Sequence, residues 1–100
     1  MATTTKALVR AAAATSTATL YTVPASTTTV ITNIVVTNSA ATAATFTLTL
    51  DSVDIFTTCA IAANSTAMFD LKQVMATTNI IAGFASAVTV KFHISGVEIA

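Results

Sequence analysis

In the stretch TFTLTLD (45–51), Phe46, Leu48 and Leu50 fall on one side of an extended chain, and Thr45, Thr47 and Thr49 fall on the other. Successive side chains of a strand point to opposite faces, so this segment predicts a half-buried β-strand. The alternation returns in AVTVKFHISGVEI (87–99), with Val88, Val90, Phe92 and Ile94 inward and Thr89, Lys91, His93 and Ser95 outward. Gly96 is expected to shift that register ahead of Val97 and Ile99. In TTVITNIVVTN (28–38), Val30, Ile34 and Val36 share one side while Ile31 and Val35 take the other, the pattern of a strand covered on both faces.

Shorter elements fill the rest. ATLYTVP (18–24) reads as a strand stopped by Pro24, which has no amide to donate to a ladder. Turns are expected at PAST, at NSAAT (38–42), between Asp51 and Asp54, and at ANST (63–66). DIFTTCAIA (54–62), AMFDL (67–71) and NIIAGFAS (79–86) predict three more strands, the last with Gly83 as a bulge. Asp70 with Gln73 three residues later predicts one capped helical turn. Residues 1–15, MATTTKALVRAAAAT, carry no period-two pattern and are read as an N-terminal arm, extended or irregular, that lies against a neighbour. Residues 16–100 then form one domain. Seven or eight short strands at regular spacing, without βα alternation, predict an all-β antiparallel sandwich of jelly-roll or immunoglobulin-like type.

Composition changes what that sandwich can do. Of 100 residues, 54% are hydrophobic and only 8% charged, with a formal net charge of zero. Globular proteins average about 25% charged residues, so the exterior must be largely neutral. With four Lys and Arg in total, a phosphate-binding surface has too little positive charge, and no nucleic-acid partner is expected. A mean hydropathy of +0.81 suggests a membrane, yet Thr, Ser or Asn interrupts every apolar run well before the roughly 20 residues that a spanning helix needs. No membrane partner is expected. KALVRAAAATSTA has basic residues ahead of small ones but lacks the apolar centre of a secretion signal. The single Cys59 permits no intrachain disulfide, which fits assembly in a reducing cytoplasm.

No catalytic constellation emerges. Nucleophilic catalysis requires a nucleophile, a base and a group that orients the base, whereas this chain has one thiol, Cys59, and one histidine, His93, the latter mid-strand on a threonine-bearing side. Asp51 and Asp54 flank a turn, where Asp bonds nearby backbone amides. DSVD has neither the several oxygen donors nor the glycine of a calcium loop, and zinc needs about four N or S ligands. Neither a metal nor a cofactor is expected, nor an enzyme activity. A flat threonine ladder for ice binding would repeat on successive strands at a fixed period, and TFTLTLD does not.

What the threonines offer is a surface that is cheap to bury. A hydroxyl satisfies itself locally and carries no desolvation cost on the scale of a charge. Uncharged strands left free also associate edge to edge, so the exterior is expected to be occupied in a defined assembly. Two segments sharpen this: TLYTVPASTTTVITNIVVTNSAATAATFTLTLD and the terminal ISGVEI. Over residues 19–99 the chain resembles a group of small virion proteins of tailed bacteriophages. That resemblance implies a β-sandwich mounted on the particle, with no catalytic residues. The expected function is a capsid decoration (cement) protein that bridges capsomers on the virion surface after assembly in the host cytoplasm. Its expected partners are itself, as a homotrimer suited to capsid three-fold positions, and the major capsid protein. Lys6, Leu8, Val9 and Arg10 of the arm, and a threonine face of Thr45, Thr47, Thr49, Thr89 and His93, are the expected contacts. A small tail or neck subunit, or a carbohydrate-binding virion tip, are the alternatives.

Overall fold

The computed structural model describes residues 3–100. Over them the chain forms eight antiparallel strands: β1 (Thr3–Ala12), β2 (Ala18–Thr22), β3 (Thr28–Asn38), β4 (Ala44–Leu50), β5 (Val53–Ile61), β6 (Ser65–Met75), β7 (Ile80–Ala85) and β8 (Val90–Ile99). One sheet has the order β1-β8-β3-β6 and the other β2-β7-β4-β5. Consecutive strands therefore alternate between sheets, apart from the β4–β5 hairpin, and the terminal strand β8 inserts between β1 and β3. This is the connectivity of an eight-stranded jelly roll, which settles the choice against an immunoglobulin-like order.

The alternation seen in sequence builds the core. Val90, Phe92 and Ile94 of β8, Ile31, Ile34 and Val36 of β3, and Phe46 and Leu48 of β4 are all buried. Phe46 sits at the centre, its ring 5.7 Å from Phe56, 6.4 Å from Phe69 and 6.0 Å from Phe92. Tilted and edge-on aromatic packing at such spacing adds to the energy of burial alone. Strand β3 is corrected in one respect. The register of β3 against β8 shifts between Ile31 and Asn33, so Ile31 joins Ile34 and Val36 inside while Val30 and Val35 face outward. A bulge, rather than cover on both sides, explains its mixed pattern.

The N-terminal segment is also corrected. Residues 3–12 are no arm: they form edge strand β1, paired with β8 from Thr3 opposite Ile99 to Ala12 opposite Lys91. Leu8 and Val9 are buried in the core, and a register shift between Ala7 and Val9 hides the period of two. The sandwich domain therefore begins within the segment assigned to the arm. The helical turn at Asp70 is absent as well, because β6 extends from Ser65 to Met75 against β3, with only a register shift between Asp70 and Gln73. Val88, expected inside, precedes β8 and is exposed.

Turns follow local chemistry. Asp51 and Ser52 both have positive φ (52° and 65°), the requirement of a two-residue hairpin whose twist matches its strands. Asn38, 1% exposed, holds the opposite end. Its Nδ2 donates to the carbonyls of Thr42 (2.9 Å) and Ala62 (3.3 Å). Its Oδ1 accepts from the Ala40 amide and the Thr89 hydroxyl, both at 3.1 Å. One buried amide is thus fully satisfied while joining three loops.

Candidate interaction surfaces

The two outward faces differ in character. On the β2-β7-β4-β5 sheet, strand register aligns Thr19, Ala82, Thr49 and Asp54 in one row, Phe84 and Thr47 in the next, and Thr45 and Ala60 in a third. This is a surface of hydroxyls and methyls with one aromatic ring and one carboxylate. On the β1-β8-β3-β6 sheet, one row reads Arg10, His93, Val35, Met68 and another reads Thr5, Val97, Val30, Val74. Met68 and Val74 are 77% and 73% exposed, a large apolar exposure on a small domain.

The expected threonine face is therefore split. Thr45, Thr47 and Thr49 lie on the outside of one sheet, and His93 lies on the outside of the other. Several of these hydroxyls are already engaged within the fold. Thr47 Oγ1 accepts the amide of Thr58 at 3.0 Å, where Thr58 has a φ of 44° that a β-branched residue seldom adopts. Thr49 Oγ1 donates to the Ala82 carbonyl at 3.3 Å, and Thr89 donates to Asn38. Thr45 and Thr49 stay partly open, whereas Thr47 is buried. Of the four arm residues expected at an interface, Leu8 and Val9 belong to the core, while Lys6 and Arg10 are exposed.

A polar cluster lies where the sheets meet near the chain ends. Tyr21 of β2 donates its hydroxyl proton to Glu98 of β8. Having given that proton, Tyr21 Oη accepts from the Thr29 hydroxyl at 2.9 Å. Lys6 Nζ stands 3.4 Å from the same Glu98 carboxylate. Burial and the adjacent carboxylate raise the Tyr21 pKa above its ordinary value of 10.0, since both disfavour a phenolate. Pattern reading missed this cluster because Thr29 and Glu98 turn inward, on the side expected to be apolar.

Two shallow grooves accompany these faces. One, of about 360 Å³, lies on the flank where β5 and β6 adjoin, between Val53, Asp54, Ile55, Gln73 and Val74. The other, of about 530 Å³, lies beside Lys6, Arg10, Thr32, Ser95 and Val97. Neither is lined by an aromatic ring. Tyr21 is turned into the cluster described above, and Phe84 stands partly buried beside Thr47. Cys59 faces inward opposite Phe46 in one sheet, and His93 faces outward in the other, so thiol and imidazole are not brought together. The remaining surface residues of note, Met68, Asp70, Lys72 and Val74 of β6, were concealed in sequence by reading a break after Leu71. Continued alternation from Thr66 through Val74 is the signal that marks them. No family model, curated protein or solved structure matches the chain.

Proposed function

We propose that the protein is a structural component of a tailed-bacteriophage virion, a decoration protein that covers and bridges capsomers of the head. The observation that carries this reading is an exterior sparse in charge on a small jelly roll: 8% charged residues in all, with threonine, alanine and valine the commonest residues of the outward rows. Such faces lose little solvation when covered, and a repeating shell supplies the cover. The Thr19, Ala82, Thr49, Thr45 and Ala60 face of the β2-β7-β4-β5 sheet meets the major capsid protein. Docking through a detached arm is not part of this reading, since residues 3–12 are a strand of the sandwich.

The test is addition of purified protein to heads assembled without it, with copies counted after sedimentation. Saturable binding at on the order of hundreds of copies per head is expected, because a symmetric lattice repeats its sites. Thr19→Arg and Ala60→Arg, both at exposed positions, should abolish binding while leaving the circular-dichroism spectrum intact. Absence of binding by the unaltered protein overturns the proposal. Tens of copies confined to the tail would place the protein there instead.

A further inference from the structure

Each sheet of the sandwich has two open edges, formed by β1 and β6 in one and by β2 and β5 in the other. An open edge presents unpaired backbone N–H and C=O groups and invites another strand. The edges differ in what they offer to a copy of themselves. β2 is only five residues long. β5 carries Asp54 and no basic residue, and β1 carries Lys6 and Arg10 and no acidic one, so neither offers a copy of itself an opposite charge. β6 is eleven residues long and carries one charge of each sign, Asp70 and Lys72; its register against β3 shifts between Asp70 and Gln73, yet Met68, Asp70, Lys72 and Val74 all remain exposed.

We infer that β6 is a self-pairing edge, and that two copies of this chain join through it antiparallel about a two-fold axis at Leu71. In that register Asp70 faces Lys72 of the second copy, and Lys72 faces its Asp70. Met68 faces Val74 of the second copy, and Val74 faces its Met68. All four residues lie on the outward side of β6 and are exposed, and within the described residues neither charge takes part in an ion pair. Directly opposed side chains on antiparallel strands stand about 5 Å apart at Cβ, close enough to pair the charges and to cover both exposed apolar side chains. The register selects itself. A shift of two residues one way sets Asp70 against Asp70, and a shift the other way sets Lys72 against Lys72, both unfavourable. The contact is isologous and therefore closes at two copies, with each β1-β8-β3-β6 sheet continuing into the next. It leaves the β2-β7-β4-β5 faces free and requires no virus particle, so its failure would leave the proposed function standing.

Charge reversal tests it. Sedimentation equilibrium of the unaltered 10.2 kDa chain should give twice the monomer mass. Asp70→Lys sets lysines against each other, and Lys72→Asp does the same with aspartates. Each variant alone should dimerise about thirtyfold more weakly, as two cross-strand attractions become two repulsions. Mixing the two variants restores both opposite-charge pairs, and so does the double variant Asp70→Lys/Lys72→Asp with itself; both should recover the dimer mass. That recovery also shows that the single variants are folded. A monomer at all concentrations, a trimer, an open-ended series of masses, or single reversals without effect each overturns the inference.

Discussion

Replacement of Phe46 by alanine removes the ring that the other core aromatics surround. Phe46 is 1% exposed, and burying an aromatic side chain removes about 150–250 Å² from water. At about 25 cal/mol per Å² the transfer loss alone is about 4–6 kcal/mol. Extended-chain reference areas overstate burial, which brings the figure down to about 3–4 kcal/mol. Contacts with Phe56, Phe69 and Phe92 each add about 0.5–1.5 kcal/mol, and part of that returns as neighbours relax into the space. A loss of about 4–5 kcal/mol is expected, at the upper end for Phe-to-Ala changes in cores. A domain of this size has about 5–15 kcal/mol in total, so the variant is close to unfolding. Phe84 is the internal control, since it stands on the outer face beside Thr47. Its replacement by alanine should cost about 1 kcal/mol. Urea titration followed by far-ultraviolet circular dichroism measures both. Equal losses at Phe46 and Phe84, or a loss at Phe46 below about 1.5 kcal/mol, would refute the assignment of inward and outward faces.

Two further expectations concern the end of the sandwich near Glu98. Because folding raises the Tyr21 pKa, its contribution to stability is complete below the ordinary value of 10.0 and is lost as pH rises through the higher folded value. Stability should therefore fall more steeply above about pH 10 in the unaltered protein than in Tyr21→Phe. The chain has one tyrosine and no tryptophan, so phenolate absorbance reports this residue alone, and it should titrate late in the folded protein and normally in urea. Gly96→Ala would drive a Cβ into the Val30 carbonyl oxygen and to 2.9 Å from Leu8 Cδ1. Since a backbone atom must then give way, a loss of about 1–3 kcal/mol is expected and is measured by the same titration.

How much was legible in sequence follows from where the period of two survives. β4 and β8 alternate throughout; Val88 was misplaced, and the register shift expected at Gly96 does not occur, so Val97 faces outward and Glu98 inward. β3 was found as a strand, but its bulge at Thr32 moved Ile31 to the other side. β1 was hidden for a similar reason, since the shift at Leu8 places Leu8 and Val9 inside together. In β6 a local capping signal at Asp70 and Gln73 was overridden by pairing with β3 on both sides of it, from Ser65 to Asp70 and from Gln73 to Met75, a tertiary effect that local propensity does not contain. Alternation also cannot tell which sheet an outward threonine belongs to, because that depends on strand order. One predicted face therefore became two, with Thr47 and Thr89 engaged inside.

The arrangement at Asn38 has a bearing on motion. Its side chain ties the loops after β3, after β5 and before β8, so none of them can fray without stripping partners from a buried amide. Local opening there is an all-or-none event, and the amide protons of that pole should exchange with solvent at one common rate. At the other pole Thr77 Oγ1 accepts the Thr27 amide and donates to the Thr27 carbonyl, so the loops after β2 and after β6 should open together as a smaller unit.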